Sequence, residues 1–532
     1  MKRNGNESRL AQTQSNHVSR RHFLKTAATV AGAAVASPYL SGSQAFGAEA
    51  ESKVVMGYGL ALVQLDPHRN ENTVHESVLR NMYECLVAFS RDLKIEPQLA
   101  TEWKRINDRT MQFKLRQNVR FHNGEEFDAE AVKFSIHRML DPKTGAPLLS
   151  TYGLIDRVDV VDKYTVNIVT KNPDPVLLPR LAGFHTIIVP PKYFSTASKE
   201  DLATKPVGTG PYKFVSWAKD QDLVMEANPA YWGGAPKIKK VIVRGIPETS
   251  TRVSALLAGD VDIIPAVPPD DIDRINRSGK ARIVSIRGNR IVFFHINCRS
   301  KPFDNKLVRQ ALNYGANIDR IISTVLKGNG TRVATMLNSW YAGYEDEVKP
   351  FPYDPEKAKA LLAQAGYGSG AEFTFYGTQG RVPKDKEVVE ALVGELAKVG
   401  LKGNLKWLDW GTTVSQASGG KLEGLWFGSW GNWMHDADNS LFTRYHSSSM
   451  YAKVWQGYKN ERLDKVLEEA RITLDVAKRA KLYTEAQKIL QDDSPSLFTY
   501  AIQDIYAINN RIEWTPRTDE MIWHKEMSLA QK

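Results

Sequence analysis

The sequence contains little cysteine and, beyond its first fifty residues, no long apolar run. Of 532 residues only Cys85 and Cys298 are cysteines, and neither belongs to a C-x-x-C pair. Zinc and thioredoxin-like sites built on closely spaced cysteines are therefore excluded. The two cysteines either form one disulfide or remain thiols, and we favour buried thiols because cysteine often packs as a small hydrophobe. No stretch of eighteen apolar residues follows residue 50, so we expect no membrane span in the body of the chain.

Motifs for common catalytic chemistry are also absent. The sequence has no G-x-S-x-G, no H-E-x-x-H, no P-loop and no G-x-G-x-x-G before a helix. Its 11 histidines, among them His68, His75, His435 and His446, lack the close spacing of zinc ligands. We therefore predict a protein that is not an enzyme and that uses no metal or cofactor. A secreted hydrolase with paired carboxylates is the least favoured alternative, because acidic residues are plentiful.

The positive charge of the chain is spread out rather than concentrated. The formal net charge is +11, and residues 1–50 contribute six basic and two acidic side chains, which leaves about +7 on the remainder. No dense run of lysine and arginine indicates a nucleic-acid stripe, whereas a basic surface favours anionic ligands. The length and the 42% hydrophobic content predict a globular protein of two to four domains.

Residues 1–50 resemble a twin-arginine export signal. The motif "SRRHFLK" places Arg20 and Arg21 before an alanine-rich, weakly apolar stretch at residues 26–40. Small residues at candidate cleavage positions follow, namely Gly47, Ala48 and Ala50. The resemblance implies that the chain folds before export, that the mature protein begins near Glu51 and that it resides in the periplasm.

The body of the chain alternates strand-like and helix-like patterns. Apolar and polar residues alternate in "TMQFKLR" and "KYTVNIVT", as they do in half-buried strands. A capping aspartate, Asp128 or Asp354, precedes the helical patterns in "FDAEAVKFSIHRML" and "YDPEKAKALLAQAGYG". Two more amphipathic stretches are "KEVVEALVGELAKVGL" and "LDKVLEEARITLDVAKRAKLYTEAQKIL", the second predicted to be a helical pair. This order predicts an α/β protein with mixed sheets.

Four ordered segments resemble the family 5 extracellular solute-binding proteins, the dipeptide, oligopeptide and nickel group that serves ABC importers. They are residues 99–140, "PVGTGPYKFVSW" with the segments that follow it, "KPFDNKLVRQALNYGANIDRI" and "YDPEKAKALLAQAGY". Together they cover most of residues 55–505, and their order carries the resemblance rather than any one motif.

The resemblance implies two lobes joined by a two-strand hinge, with the ligand enclosed between the lobes. The first, enlarged lobe is expected to contain residues 51–285 plus 500–532, and the second residues 286–499. The hinge strands are expected near "IVFFHIN" and "LFTYAIQDIYAI". The implied partners are a small-molecule or peptide ligand and the ABC permease and ATPase subunits at the inner membrane. We expect a monomer that binds no nucleic acid.

The stretch "GSWGNWMHDADN", residues 428–439, is where the resemblance bears on the ligand. Peptide binders of this family carry an aspartate three residues after a tryptophan of the cleft, and it pairs with the α-amino group of the peptide. Aligning Trp430 with that tryptophan places Trp433 at the position of the aspartate. A buried ammonium group without a carboxylate keeps a desolvation cost of several kcal/mol. The chain therefore departs from the peptide pattern here.

We expect the residues around this departure to line the cleft. The indoles of Trp430 and Trp433 are suited to holding a cation or stacking on a sugar ring. Asn432 is suited to bonding ligand hydroxyls. Asp436 or Asp438 is a candidate for a displaced carboxylate, which keeps peptides among the possible ligands.

Further ligand-binding candidates come from position alone. In "YGTQGRVPKDKEV", Gln379 and Arg381 fall where peptide-binding relatives contact the acid end of the ligand. Arg381 is either a two-pronged donor to a carboxylate or phosphate, or a solvated loop residue. Trp410 lies in the strand-like "LKWLDW" and either packs or faces the cleft. Tyr58, after the first strand, is expected near the cleft mouth.

These patterns predict a receptor that captures a peptide or a small peptide-like, opine-like or sugar-linked solute for an ABC importer. The alternative within the same family is a receptor for nickel or a metal chelate.

Overall fold

The computed structural model describes residues 52–59, 62–70, 73–147 and 149–531. The predicted export signal, residues 1–50, and its cleavage positions lie outside the described residues. The described chain is mixed α/β with mixed sheets, which confirms the predicted class. Within these residues no helix has the length and apolar character needed to cross a membrane.

The strands are numbered in chain order. They are β1 Lys53–Tyr58, β2 Val87–Phe89, β3 Ile95–Pro97, β4 Ala100–Asn107, β5 Thr110–Leu115, β6 Ile155–Asp162, β7 Thr165–Thr170, β8 Tyr212–Ser216, β9 Leu223–Ala227, β10 Lys240–Gly245, β11 Ile263–Ile264, β12 Ala281–Ile296, β13 Gly330–Arg332, β14 Ala371–Gly377, β15 Leu401–Trp407, β16 Leu425–Gly431, β17 Ser496–Asn509, β18 Ile512–Glu513 and β19 Ser528–Leu529.

The α-helices are numbered in the same way. They are α1 Thr73–Leu79, α2 Ala129–Leu140, α3 Leu149–Tyr152, α4 Leu177–Leu181, α5 Pro191–Thr196, α6 Lys199–Thr204, α7 Thr249–Ala258, α8 Ile272–Arg277, α9 Lys306–Gly315, α10 Ile318–Thr324, α11 Pro355–Gln364, α12 Asp385–Ala397, α13 Trp410–Ser418, α14 Ala437–Tyr445, α15 Glu461–Ile472 and α16 Val476–Asp493. Short 3-10 turns and one π-helical turn complete the assignment, at Pro67–Arg69, Pro142–Thr144, Phe184–Thr186, Pro269–Asp271, His524–Glu526 and, for the π-helix, Tyr451–Gln456.

One 11-stranded sheet runs through the described chain in the order β15-β14-β16-β12-β17-β11-β1-β10-β9-β8, with β13 paired to β17. β1 pairs in parallel with β10 and β11, and β14 pairs in parallel with β15 and β16, while the remaining pairs are antiparallel. A separate antiparallel sheet has the order β4-β5-β7-β6. The long antiparallel pair β12–β17 forms the middle of the large sheet and links its two sides.

The pairing of β12 with β17 is interrupted at its centre. Arg287 pairs with Gln503 and Ile291 pairs with Ala501, so three residues of β12 face one residue of β17. A Cβ atom at Gly288 would lie 2.5 Å from the carbonyl oxygen of Ile502, so only glycine fits this close approach. Both strands lie where the hinge was predicted, and the bulge is the irregular point of the crossing.

The buried apolar side chains divide into two groups on either side of this crossing. Three clusters draw on residues 54–286 and 505–529, and we call this part the first lobe. Three others draw on residues 291–502, which we call the second lobe. Trp433 is the exception, because it packs against a cluster of the first lobe. The predicted domain boundaries, at 285/286 and 499/500, stay predictions.

Several local predictions are confirmed. Asp128 caps α2 by accepting a hydrogen bond from the backbone of Ala131, and Asp354 caps α11 in the same way from Lys357. The alternating stretches form β5 and β7, and the predicted helical pair is α15 and α16. The prediction of a strand throughout "LKWLDW" is wrong in its second half. β15 ends at Trp407, and Asp409 caps a helix, α13, of which Trp410 is the first residue.

Candidate functional site

Charged side chains meet where β12 and β17 lose their register. Arg290, in the bulge, places Nη2 3.3 Å from Oε2 of Glu520. On the facing strand, the Oδ1 atom of Asp504 lies 3.0 Å from the position of a Cβ at Gly288. Arg381 is close enough for Arg290 and Glu520 to shift its pKa. We call Arg290, Arg381, Asp504 and Glu520 the hinge charge cluster.

The two acids of the cluster each have a free oxygen. Oδ2 of Asp504 and Oε1 of Glu520 are buried, and neither accepts a hydrogen bond from the described residues. Burial, and then the nearby Glu520, raise the pKa of Asp504 well above its usual range, while Arg290 opposes the rise. Glu520 adopts a φ of +63°, which is uncommon outside glycine. Two close carboxylates in a shielded site favour an added cation.

Arg381 is held on a rigid loop. Asp385 accepts hydrogen bonds from the backbone N–H groups of Gly380, Arg381 and Val382, which fixes the loop between β14 and α12. The guanidinium lies 4.9 Å from the ring centroid of Trp410. Its Nε is buried without a partner among the described residues. Burial, followed by repulsion from Arg290, lowers the pKa of Arg381 to about 10 while Glu520 and Asp385 oppose the change. The guanidinium of Arg381 therefore remains a cation, and no carboxylate of the described residues forms an ion pair with it.

The cluster has the chemistry to hold a solute with both charges. Arg381 comes from the second lobe and Glu520 from the first, while Arg290 and Asp504 come from the crossing strands. An acid group is matched by the free donor of Arg381, and a cationic group by Asp504 and Glu520.

Sequence reasoning missed three of the four cluster residues. Arg290, Asp504 and Glu520 lie in segments that are distant in sequence. Each, taken alone, would be predicted to be an ordinary charged residue at the surface. One local signal was available, because Gly288 and Asn289 interrupt an otherwise strand-like run immediately before Arg290. A charge next to a bulge is a common functional arrangement.

Trp433 reaches across the cleft into the first lobe. Its ring stacks on Tyr152, with 5.6 Å between centroids and an interplanar angle of 18°, and meets the edge of His185 at 6.3 Å. A Cβ at Gly183 would lie 2.5 Å from its Cζ3, so glycine provides the space for the indole. Trp433 is therefore an interlobe contact, and its half-buried ring is engaged by protein.

The polar neighbours of Trp433 are engaged within the protein, and their predicted ligand contacts stay predictions. Asn432 is fully buried and donates to the carbonyl of Asp436 and to Ser440 Oγ. Asp436 is ion-paired with Arg479, whose Nη1 lies 2.8 Å from Oδ2. Asp436 and Ser440 lie within eight residues of Asn432, whereas Arg479 comes from α16, 43 residues after Asp436, so the pattern around "GNWMHD" did not indicate the ion pair.

The remaining predicted residues lie in different surroundings. Trp430, in β16, is half-buried beside Tyr451 in the second lobe. Tyr58 is the last residue of β1 and, at 2% exposure, belongs to the same buried cluster of the first lobe as Tyr506. Gln379 is exposed. Of the predicted set, the structure brings Arg381 and Trp410 into direct contact.

The described histidine, cysteine and acidic side chains bear on metal binding and disulfide formation. The described residues include no group of three or more His, Cys, Asp or Glu side chains arranged to hold a metal ion. Cys85 and Cys298 are both free, and burial raises the pKa of each thiol to about 11. Cys85 donates through Sγ to the carbonyl of Gly183 at 3.3 Å.

Curated relatives match almost the full length of the chain. Heme-binding protein A of Haemophilus influenzae is 32% identical over 470 residues, covering 84% of this chain and 85% of that protein. Glutathione-binding protein GsiB of Pectobacterium atrosepticum is 30% identical over 494 residues, covering 91% and 93%.

Solved structures share the fold. The periplasmic binding protein DppA of Helicobacter pylori, in complex with the peptide STSA, matches with a TM-score of 0.79 and 27% identity, over 90% of this chain and 98% of that one. AgaA of A. tumefaciens R10, in complex with agropinic acid, matches with a TM-score of 0.78 and 27% identity, over 90% and 99%. Both likenesses confirm the two-lobed fold.

The family itself is identified by its own sequence model. The model of the bacterial extracellular solute-binding proteins, family 5 Middle, matches residues 94–452. Two lobes, a crossing pair of strands and full-length relatives agree with that match. The chain therefore belongs to the bacterial extracellular solute-binding proteins of family 5.

Proposed function

We propose that this protein is the periplasmic receptor of an ABC importer and that it captures a small solute carrying both an acid and a cationic group. Peptides, peptide-like compounds and opine-like compounds, with or without a sugar, have this chemistry. The observation that carries the proposal is the hinge charge cluster, in which buried atoms of Arg381, Asp504 and Glu520 lack partners.

The acid group is assigned to Arg381. Its loop is fixed by Asp385 and its guanidinium lies against Trp410, so little side-chain freedom remains to be lost on binding. A guanidinium with an unused N–H forms charge-assisted hydrogen bonds with a carboxylate or phosphate. The ligands of two related structures, a peptide and agropinic acid, both carry such an acid.

The cationic group is assigned to Asp504 and Glu520. The raised pKa of Asp504 reflects a carboxylate that lacks a counter-ion, and a ligand ammonium supplies one. The earlier candidates for this role are already paired, Asp436 with Arg479 and Asp438 with both Arg180 and Arg471. The proposed amine position therefore differs from the one expected of peptide binders.

The cellular setting follows from the family and the signal-like segment. We infer export by the twin-arginine route, residence in the periplasm as a monomer, and delivery of the solute to a permease with its ATPase. The relatives are named as binding proteins, which supports a receptor without catalytic activity.

Calorimetric titration of residues 51–532 tests this function. The probes are the peptide Ser-Thr-Ser-Ala, agropinic acid, glutathione, a nickel–histidine chelate and the uncharged polyol mannitol. We expect binding of at least one probe that carries both an acid and an amine, with no turnover of that probe and no response to mannitol. Binding of mannitol alone, hydrolysis of a probe, or binding confined to the nickel chelate and abolished by EDTA would each overturn the proposal.

A further inference from the structure

Arg444, in α14, is a buried cation enclosed by aromatic rings. Its guanidinium carbon lies 3.9 Å from the ring centroid of Tyr451, 4.9 Å from Trp430, 5.1 Å from Phe293 and 5.9 Å from Trp455. Only 3% of the residue is exposed. Aromatic faces attract a cation but accept few hydrogen bonds. Among these rings the Tyr451 hydroxyl is hydrogen-bonded to Arg444, and Nε of Arg444 is buried with no partner among the described residues.

Arg444 differs in this respect from other buried arginines of the chain. Arg180 is ion-paired with Asp174 and Asp438, and Arg479 with Asp436. Among the described residues, no aspartate or glutamate forms a salt bridge with Arg444. Burial lowers the pKa of Arg444, and no nearby carboxylate offsets that effect.

The contact between Arg444 and His295 fixes the state of the imidazole. Nη2 of Arg444 lies 2.7 Å from Nε2 of His295. Because a guanidinium only donates, Nε2 must accept. Burial and the charge of Arg444 lower the pKa of His295 well below its usual value, so the ring is neutral and its proton resides on Nδ1. That Nδ1–H is itself buried without an acceptor.

Three tryptophans near Arg444 and His295 also have a buried indole N–H group that lacks an acceptor among the described residues. His295 stacks on Trp426 and meets Trp455, each with 5.2 Å between centroids, and Trp430 meets Tyr451 at 6.0 Å. Among the described residues, the Nε1 atoms of all three tryptophans find no acceptor although they are buried, and the same is true of Nε of Arg444. We call Arg444, His295, Trp426, Trp430 and Trp455 the Arg444 cluster.

The Arg444 cluster borders the proposed ligand site. Trp430 precedes Gly431, and a Cβ at Gly431 would lie 3.1 Å from Nη2 of Arg290 in the hinge charge cluster. Trp430 is half-buried, whereas Trp426, Trp455, His295 and Arg444 are at most 5% exposed. The cluster therefore extends inward from the cleft along β16.

We propose that the Arg444 cluster is an oxyanion-binding subsite that takes a carboxylate or phosphate group. A set of buried groups made of one cation and N–H donors matches an anion rich in acceptors. Resting on the proposed function, this assignment narrows the solute to one with two acid groups, the first bound by Arg381 and the second by Arg444.

Inorganic phosphate is the probe that tests the subsite without knowledge of the solute. Tryptophan fluorescence and the melting temperature of residues 51–532 are followed during phosphate titration at constant ionic strength. We expect saturable binding that persists in the exposed control Arg277→Gln. In Arg444→Gln the apparent Kd is expected to rise about tenfold or more, because a charge-assisted hydrogen bond is lost. In Trp430→Phe, which keeps a ring but loses the N–H, we expect a rise of about threefold.

The outcomes separate the subsite from the proposed function. Equal phosphate responses in the wild type, Arg444→Gln and Trp430→Phe would overturn the subsite and leave the cluster as packing. If Arg444→Gln does not fold, phosphate titration of Trp430→Phe and Trp455→Phe tests the subsite, with an unchanged apparent Kd in both counting against it. Competition between phosphate and the best calorimetric probe assigns the anion to the solute, whereas independent binding of both assigns it to a free anion. Solute binding by Arg381→Gln tests the proposed function only, because Arg381 is not part of the Arg444 cluster.

Discussion

Arg180 and Asp438 form a buried ion pair between the two lobes, with 3.1 Å between Nη2 and Oδ2. Arg180 lies in α4 of the first lobe and is also paired with Asp174, while Asp438 lies in α14 of the second and is also paired with Arg471. Both members of the interlobe pair are at most 2% exposed at the side chain. The charges are therefore shielded from water only when the lobes are together, and the pair favours the closed arrangement.

Removing this pair should weaken closure. In Asp438→Asn, Arg180 keeps Asp174 but loses its partner in the second lobe, and we expect a loss of about 2–3 kcal/mol of unfolding free energy. Ligand dissociation should also accelerate, since an interlobe contact is missing. Urea denaturation and stopped-flow release of the best probe measure the two effects. The exposed ion pair of Arg157 is the control, and Arg157→Gln should change stability by less than about 0.5 kcal/mol.

Trp433 should act through the lobes rather than through the ligand. Trp433→Ala removes the stacking on Tyr152 and should destabilise the protein by about 2–3 kcal/mol, with weaker binding of every ligand to a similar degree. Trp433→Phe keeps a ring and should lose less. Trp407, which is 40% exposed, offers a matched tryptophan control. Selective loss of one ligand in Trp433→Ala would instead indicate direct contact with that ligand.

Asp504 should make the unliganded protein less stable as the pH rises. Its folded-state pKa is raised, so the folded protein holds this proton more tightly than the unfolded chain does. The associated stability is present below the usual carboxyl pKa of about 3.9 and declines as the pH rises towards the folded-state pKa. Asp504→Asn should therefore be more stable than the wild type near pH 7, with the difference shrinking at lower pH. Urea denaturation between pH 4 and 8 measures it, with the exposed Asp273→Asn as control.

The acid group and the amine of the ligand should bind to different residues. Arg381→Gln should weaken binding of an acid ligand about tenfold or more and leave its carboxamide analogue nearly unaffected. Asp504→Asn combined with Glu520→Gln should weaken binding of the amine form and spare an analogue without the amine. Calorimetry of these four ligand and variant combinations measures the pattern. Equal losses for charged and uncharged analogues would contradict the assigned orientation.

Cys85 and Cys298 should remain thiols in the folded protein. Burial raises the pKa of both to about 11, which leaves little reactive thiolate at neutral pH. We expect slow reaction with a thiol reagent in the native state and two rapid equivalents in urea. The intact mass of the unlabelled protein should correspond to two free thiols, and a mass lower by two hydrogens would contradict this.

Local sequence signals predicted local structure well. The caps of α2 and α11 and the helical pair α15–α16 follow from residues a few positions apart, so their physics is visible in a short window. The predicted hinge segments fall within β12 and β17, and their role as a hinge stays a prediction that rests on the family resemblance. Trp410 was misassigned because Asp409 favours a helix N-terminus that a strand pattern conceals.

The site was harder to predict because its chemistry depends on partners far apart in sequence. Asp436 reads as a free carboxylate in "HDADN", yet Arg479 from α16 neutralises it. Asp504 is an ordinary polar position on a strand by its sequence, yet the fold half-buries it near Glu520 and shields its Oδ2 from solvent. Which charge is matched and which is left unpaired is a property of tertiary structure, and the unpaired ones define the proposed site.

We propose that the solute carries an acid group that binds Arg381 and a cationic group that binds Asp504 and Glu520. Native mass spectrometry of the mature protein purified from cells that make it tests this most directly, by comparing the wild type with Arg381→Gln and with Asp504→Asn/Glu520→Gln. We expect a small molecule bound to the wild type, with fragments that contain an acid and an amine. Its occupancy should fall in both variants. A bound neutral solute, or equal occupancy in all three proteins, would contradict it.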